Sequence, residues 1–255
     1  MSSVKYKETI WSELYAGNRH TVSCFKPAVH GVESSLELDQ KQRRRTVWRM
    51  DGGGGSDENL RWLLARGYQV VAKGKSNRRA NALAKQVKRW DSISTGWIAA
   101  VPAPVDLGRP VRFFVKKREK QGAFFYSYYV TSTQLPSKKL FMLSYDKRGG
   151  AEVEQFRNDK SGLSLALRRK RLFLAQKGLI LLTDLAHNLL ADFLATALAD
   201  SKFAHFGAKR IVRDLLQIPG QLHFEDGQLS KIELCKSNEN SRDLIICLEK
   251  YILDD

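Results

Sequence analysis

Hydrophobic and polar positions change their period repeatedly between residues 46 and 93. The β-branched and aromatic run TVWRM predicts a short strand ending at Asp51, and DENLRWLLARG then places Leu60, Leu63 and Leu64 on one helical face. The run YQVVAKG predicts a second strand, and NRRANALAKQVKRW predicts a second amphipathic helix. Alternation of strand and helix over so short a span predicts an α/β (α+β) sheet.

The pattern changes from about residue 94 to residue 143, where the helical period disappears. STGWIAAVP, RPVRFFVKKREKQGAFFYSYYVTST and KLFMLSYDKR are rich in Val, Phe and Tyr with polar breaks. We predict a β-rich stretch with hairpins that turn near Gly108 and at KQG.

The flanking segments have weaker patterns. A helix is predicted from about Pro27, DQKQRRR is predicted to be a loop, and AEVEQFRNDK is predicted to be helical. Near the carboxyl end, EDG predicts the turn of a hairpin and SRDLIICLEKYIL predicts an amphipathic helix.

The longest apolar run, LFLAQKGLILLTDLAHNLLADFLATALA, covers residues 172–199. Asp184, His187, Asn188 and Asp192 interrupt it, and charged groups at the centre of a bilayer are costly. We therefore predict a long buried helix of a soluble protein rather than a membrane span.

The glycine run GGGGS after Asp51 admits three interpretations: a flexible linker, a phosphate loop or a tight turn. A strand directly precedes it, and Ser56, Asp57 and Glu58 begin a helix directly after it, so a linker is disfavoured. The glycine and lysine spacings of phosphate loops are absent. We predict a strand-to-helix turn that exposes Asp51 at the carboxyl end of its strand, where α/β sheets build their sites.

Charge and cysteine content indicate the partner and the compartment. The 43 Lys and Arg residues against 27 Asp and Glu residues give a formal net charge of +16, which favours a polyanion such as nucleic acid. Three widely spaced cysteines argue against a disulfide framework or a zinc site, and the polar start MSSVKYKETIW is unlike a secretion leader. These features predict a cytoplasmic protein.

A second cluster of polar residues lies in YDKRGGAEVEQFRNDKSGLSLALRRKRLFLAQ. Tyr145, Arg148 and Glu152 have the spacing Y-x2-R-x3-E, and Lys160 follows about two helical turns later. Taken alone, this charge pattern is typical of a solvated helix start.

Together, the Asp51 segment RMDGGGGSDENLRWLLARGYQVVAKGKSNRRA and the YDKRGG segment resemble the DDE transposases of bacterial insertion sequences. The resemblance is to the branch that carries the Y-R-E-K signature, and it extends over nearly the whole chain. It implies a ribonuclease-H-like mixed sheet flanked by helices. Residues 1–93 and 144–255 would form that part, and residues 94–143 would form a β-rich insertion between the second and third catalytic acids.

The resemblance also implies roles for single residues. Asp51 would be the second catalytic acid and Glu152 the third, with Glu154 as an alternative to Glu152. In this family three carboxylates hold two Mg²⁺ or Mn²⁺ ions, which activate the attacking oxygen and stabilise the leaving oxygen at a phosphodiester. Tyr145, Arg148 and Lys160 would contact the phosphates of double-stranded DNA at the transposon ends.

One part of the family pattern has no match in this sequence. The first acid should lie on a strand well upstream of Asp51, whereas Asp39 is too close to Asp51 and Glu8 and Glu13 have the wrong setting. We therefore expect a carboxyl-terminal transposase portion that is inactive alone. The alternative is a non-catalytic remnant that binds DNA, self-associates or inhibits a full-length transposase; both would be located at the bacterial nucleoid.

Other conspicuous residues have simpler interpretations. Trp62, Trp90 and Trp97 lie on amphipathic elements, which favours core packing over base stacking, and His187 is typical of a hydrogen-bonded buried histidine rather than a metal ligand. The basic runs RRRTVWR and LRRKR are either solvated charge or phosphate contacts.

Overall fold

The computed structural model describes residues 1–3, 5–19, 21–134, 138, 141–142, 145–146 and 157–253. The chain divides into two compact units. One comprises Tyr15–Gly150, and the other comprises Met1–Leu14 together with Ala151–Asp255.

The Tyr15–Gly150 unit is built on one mixed sheet of six strands in the order β1-β2-β6-β5-β4-β3. The strands are β1 Val47–Met50, β2 Gln69–Lys73, β3 Asp91–Ile93, β4 Gly96–Val101, β5 Arg112–Lys120 and β6 Ala123–Thr131. The β1–β2 pair is parallel, and every other pair is antiparallel. The predicted mixed sheet flanked by helices is therefore present.

The predicted β-rich stretch forms strands that extend the same sheet. Strand β6 pairs with β2, and the hairpin between β5 and β6 turns at Gln121 and Gly122, as the KQG segment predicts. The end of the stretch was predicted wrongly, because Lys138, Phe141 and Met142 are helical. Phe141, Met142 and Tyr145 instead pack together against Val71, Ile98, Phe114 and Tyr129 on one face of the sheet.

The helices described for this unit before residue 134 are α1 Thr21–Ser35, α2 Gln40–Arg45, α3 Asp57–Ala65 and α4 Asn77–Ala84. The predicted cap of α3 is confirmed, since the Asn59 backbone N–H donates to Ser56 Oγ at 3.3 Å. Two other predictions were wrong. Pro27 lies inside α1 rather than at its start, and DQKQRRR contains α2 because Asp39 and Gln42 form a reciprocal capping box.

A buried carboxylate connects the helices to the sheet. Glu33 of α1 is 7% exposed; it accepts two hydrogen bonds from Arg66, at 3.0 and 2.5 Å, and one from the Tyr68 hydroxyl at 2.7 Å. Arg43 of α2 lies 3.5 Å away. Burial raises the pKa of Glu33, but the Arg66 and Tyr68 hydrogen bonds and the nearby guanidinium charges outweigh it and hold the pKa below its ordinary value.

The described part of the second unit includes the helices α5 Phe173–Thr196, α6 Ala208–Arg210 and α7 Ser241–Leu253, and a hairpin of β7 Gly220–Glu225 with β8 Gln228–Leu234. Short π-helical turns occupy Asn158–Gly162 and Ile211–Leu215. The predicted hairpin turn at EDG and the predicted carboxyl-terminal helix are confirmed. The core of this unit includes Leu198, Phe203, Ile211, Leu215 and Leu244.

Helix α5 was predicted to be buried, and that prediction was wrong. It is long and apolar enough to cross a bilayer by length and composition, yet only 11% of its apolar window is buried. Its two buried residues are the polar Thr183 and His187, while several leucines face away from them into solvent. His187 is hydrogen-bonded to Asp159 and to the Lys7 carbonyl oxygen elsewhere in the unit, whereas Thr183 donates to the Leu179 carbonyl oxygen within the helix.

Candidate functional site

Asp51 lies where the sequence predicts, directly after the last residue of β1. Strands β1 and β2 are parallel with Met50 beside Ala72, so their carboxyl ends share one edge of the sheet. The Asp51 side chain is exposed. Its Oδ1 accepts a hydrogen bond from the Gly53 backbone N–H at 2.9 Å, and its carbonyl oxygen accepts one from Gly55 at 3.1 Å. These bonds close a turn, which favours the predicted turn over a flexible linker.

The glycines of this turn allow close approach to β2. A Cβ atom on Gly55 would lie 1.9 Å from the carbonyl oxygen of Lys73, the last residue of β2. The backbone of the Asp51 turn is therefore packed against the end of β2. This contact fixes the position of Asp51 relative to Lys73 and its neighbours.

We expect Gly55→Ala to lower the free energy of unfolding by roughly 1–3 kcal/mol, because the added methyl group meets backbone that cannot move aside easily. Gly52→Ala is the matched control, since its Cβ would meet only ordinary contacts at 3.6 and 3.8 Å. Urea unfolding followed by tryptophan fluorescence measures both variants. Equal stability of the two variants would contradict the tight packing of this turn.

Cations lie on the same face of the sheet as Asp51. Arg49 pairs with Val71, Lys73 pairs with Tyr129, and Tyr129 pairs with Phe114 of β5. Side chains alternate between the two faces along a strand, so Lys116 and Arg118 lie on the same face of the sheet as Phe114. Continuing the alternation of β1 one residue past its end places Asp51 on this face as well, beside Arg49 in the pattern. We call Lys73, Lys116 and Arg118 the basic face.

The protonated form of Lys116 is destabilised on the basic face. Burial lowers the pKa of Lys116; the Asp146 carboxylate opposes the shift, whereas the like charges of Arg118 and Lys73 add to it. An anion placed here would remove the repulsion among these cations. The arrangement therefore suits a phosphate group.

Tyr145 packs on the same sheet face and is only 7% exposed. Its ring lies edge-on to Tyr129 with centroids 4.8 Å apart. Burial raises the pKa of Tyr129, and the neighbouring Tyr145 and Asp146 raise it further. The structure therefore brings Tyr145 to the side of the sheet that carries the basic face.

The remaining predicted site residues are distributed differently. Lys160 is exposed in the π-helical turn Asn158–Gly162 of the other unit. Arg148, Glu152 and Glu154 lie outside the described residues. Their proposed roles stay predictions.

A complete metal site is not formed by the described residues alone. Within the ranges given above, no group of three His, Cys, Asp or Glu side chains is placed to hold a cation. Asp51 supplies an exposed carboxylate of the kind Mg²⁺ prefers, but it is a single ligand. A divalent cation would therefore need further ligands besides Asp51.

Trp62, Trp90 and Trp97, which were predicted to pack in the core, are half-buried. Lys117 Nζ lies 4.6 Å from the Trp97 ring centroid and 5.2 Å from that of Trp90, on the sheet face opposite Lys116. Arg66 lies 4.9 Å from the Trp62 ring centroid. These are cation–π contacts on the surface of the sheet and helices.

His187 is a hydrogen-bonded buried histidine, as predicted. Its Nδ1 lies 2.9 Å from Asp159 Oδ1, and its Nε2 lies 2.9 Å from the Lys7 carbonyl oxygen. The Lys7 carbonyl oxygen can only accept, so Nε2 donates to it, and Nδ1 lies within hydrogen-bonding distance of the Asp159 carboxyl group. The hydrogen bond to Asp159 raises the pKa of His187, against the opposing effect of burial.

Reasoning from sequence missed the basic face. Lys116 and Arg118 lie in VKKREK, where strand alternation places them on one face and Lys117 on the other. Their relation to Asp51 depends on the pairing of β6 with β2, which no local pattern reports.

Comparison of the sequence with models of known protein families and with curated proteins finds no match.

Proposed function

We propose that this chain is part of the catalytic domain of a DDE-type insertion-sequence transposase of the Y-R-E-K branch, which cleaves and transfers DNA strands. The observation that carries the proposal is the position of Asp51, an exposed carboxylate at the carboxyl end of a parallel strand pair with the basic face on the same side of the sheet. The strand–helix–strand unit of β1, α3 and β2 supports a ribonuclease-H-like arrangement around it.

In this proposal Asp51 and Glu152 are ligands of a divalent cation, Mg²⁺ or Mn²⁺, and Glu154 is the alternative to Glu152. The complete enzyme would hold two such ions, which supply charge stabilisation at the attacking and leaving oxygens of the phosphodiester. The chain's own contribution is to hold the Asp51 carboxylate in a closed turn and to present cations on the same face of the sheet.

The proposed partner is double-stranded DNA at the transposon ends. Tyr145, Arg148 and Lys160 are the phosphate contacts that the resemblance implies, and Lys116 and Arg118 are added from their place on the sheet. Clustered cations bind nucleic acid because they release condensed counterions. This activity belongs in the bacterial cytoplasm, at the nucleoid.

A second candidate function is a non-catalytic remnant that binds DNA or pairs with a full-length transposase. Asp51 is the one member of the proposed acid set among the residues that the structure describes, and the first acid has no matched position in the sequence. A charge-stabilising group of this kind typically contributes several kcal/mol, so we propose that the chain alone does not catalyse strand transfer.

Mn²⁺ binding tests the role of Asp51. We expect the purified chain to have a weak Mn²⁺ site, measured by the loss of the electron paramagnetic resonance signal of free Mn²⁺, and Asp51→Asn to abolish it. Asp106→Asn is the control, because Asp106 is also exposed and accepts the same kind of turn hydrogen bond, from Gly108 at 2.8 Å. If Asp51→Asn bound Mn²⁺ like the unmodified chain, Asp51 would not be a ligand and the remnant would be favoured.

A further inference from the structure

The guanidinium of Arg79, on α4, joins the start of α3 to strand β6. Its Nη1 donates to Asp57 Oδ1 at 2.6 Å and its Nη2 donates to Asp57 Oδ2 at 2.8 Å, so the contact is bidentate. Nη1 also donates to the Tyr128 hydroxyl at 3.3 Å. The Arg79 and Asp57 side chains are 30% and 25% exposed, so solvent screens this pair less than a pair on the surface.

Asp57 connects Arg79 to the Asp51 turn. It is the first residue of α3 and lies two positions after Gly55, whose backbone N–H donates to the Asp51 carbonyl oxygen at 3.1 Å. Ser56, between them, caps the helix. A displacement of Asp57 would therefore be transmitted along two residues of backbone to the hydrogen bond that closes the turn.

Tyr128 connects the same guanidinium to the other side of that turn. A Cβ atom on Gly74 would overlap the Tyr128 ring, so the ring packs directly on the Gly74 backbone. The Gly74 N–H also donates to the Tyr128 carbonyl oxygen at 2.9 Å. Gly74 directly follows Lys73, the residue against which Gly55 packs. Arg79 is therefore bonded to neighbours of both partners in the contact between Gly55 and Lys73.

The bonds of Arg79 do not lie on the basic face. Tyr128 pairs with Val115, one position before Lys116, so strand alternation places the Tyr128 side chain on the opposite face of the sheet. Both terminal nitrogens of Arg79 donate to Asp57 or Tyr128. These bonds indicate a role that acts through the backbone rather than a contact with phosphate.

We propose that Arg79 is a positioning residue for the Asp51 turn: through Asp57 and Tyr128 it holds the β1–α3 and β2–α4 connections together and so sets the place of the Asp51 carboxylate. We call Arg79, Asp57 and Tyr128 the arginine clamp. A planar guanidinium suits this role, because it presents several donors in a fixed fork, whereas a lysine ammonium is a point charge on a flexible chain. The consequence for a bound cation rests on the proposed function of Asp51, but the consequence for the turn does not.

Amide hydrogen exchange measured by nuclear magnetic resonance tests the arginine clamp. We expect Arg79→Lys, which keeps the charge but loses the fork, to speed exchange of the Gly55 amide by about 10-fold or more, the factor that a hydrogen bond to a charged group contributes. Val71, 1% exposed in β2, is the internal reference, since a loss of global stability would speed exchange at both amides. Arg78→Lys is the matched control, because Arg78 is exposed at the preceding position of α4.

A double-mutant cycle with Asp57→Asn assigns the effect to the Arg79–Asp57 contact. Asp57→Asn should speed Gly55 exchange as Arg79→Lys does, and the two changes together should add little, because each breaks the same contact. Unchanged Gly55 exchange in both single variants, an equal rise at Val71, or fully additive effects would overturn the proposal.

Mn²⁺ binding, measured by electron paramagnetic resonance, separates this proposal from the proposed function. Arg79→Lys should raise the Mn²⁺ dissociation constant by about 10-fold, the low end for residues that orient metal ligands, and Arg78→Lys should leave it unchanged. If the unmodified chain bound no Mn²⁺, the proposed role of Asp51 would fail, and Gly55 exchange would still decide the arginine clamp. Faster Gly55 exchange with an unchanged Mn²⁺ dissociation constant would overturn the positioning role and leave Arg79 a stabilising residue of the turn.

Discussion

Glu33→Ala is expected to lower the free energy of unfolding of the Tyr15–Gly150 unit by about 3 kcal/mol or more. Removing one member of a buried ion pair leaves its partners without compensation, at a typical cost of about 3–5 kcal/mol. The Arg66 guanidinium would lose both hydrogen bonds, and the buried Tyr68 hydroxyl would lose its acceptor. Glu58→Ala is the control, since its ion pair with Lys26 at 2.7 Å is exposed and screened by solvent, so its loss should change the free energy of unfolding far less.

Glu33 also makes the free energy of unfolding depend on pH, and the direction of its pKa shift fixes the sign. The pKa of Glu33 is lower in the folded chain than its ordinary value of 4.5, so its contribution is fully present above that value and is lost as the pH falls through the folded pKa. Urea midpoints measured between pH 7 and pH 3 should therefore fall less steeply for Glu33→Gln than for the unmodified chain. Four of the five tryptophans lie in this unit and report its unfolding. Parallel curves would show that Glu33 is not the carboxylate responsible.

Replacing both Lys116 and Arg118 with Gln is expected to weaken binding to duplex DNA by about 100-fold at low salt. Each charged phosphate contact contributes about 1.5 kcal/mol, and two contacts together account for that factor. Lys116 is the more informative of the pair, because burial beside Arg118 and Lys73 already lowers its pKa. A phosphate on the basic face would offset that repulsion, so bound DNA would stabilise the protonated form of Lys116.

Lys202→Gln combined with Lys231→Gln is the matched control for this double variant. It removes the same two charges from the other unit, where Lys202 pairs with Asp243 at 2.6 Å and Lys231 pairs with Glu233. If both double variants lost affinity equally, net charge rather than the basic face would explain DNA binding. Far-ultraviolet circular dichroism checks that both variants keep their fold.

Local signals predicted the elements around Asp51. The β-branched run before it, the Ser56 cap and the apolar spacing of α3 are all short-range features, and the structure has each of them. The capping box of α2 was also readable, since Asp39 and Gln42 have its spacing, but the basic composition of DQKQRRR suggested a loop. Local propensity therefore sufficed where a cap and a periodic face coincided.

Longer-range features could not be predicted in this way. The pairing of β6 with β2 joins residues about 60 positions apart, and together with the β1–β2 and β5–β6 pairings it brings Lys116 to the face of Asp51. The Glu33 cluster likewise depends on Arg66 and Tyr68, more than 30 residues away. The leucines of α5 were predicted to be buried because local hydrophobicity does not distinguish a buried face from an exposed one, whereas the hydrogen bonds of His187 reveal which side of the helix is covered.

The salt dependence of DNA binding tests the central claim most directly. For the unmodified chain and the Lys116→Gln, Arg118→Gln variant, the logarithm of the association constant for a duplex is measured against the logarithm of salt concentration by fluorescence anisotropy. Each phosphate contact contributes about 0.9 to the slope, so the account predicts a steep slope that falls by about 1.8 in the variant. An unchanged slope, or no salt-dependent binding by the unmodified chain, would contradict a DNA-binding surface at the Asp51 face of the sheet.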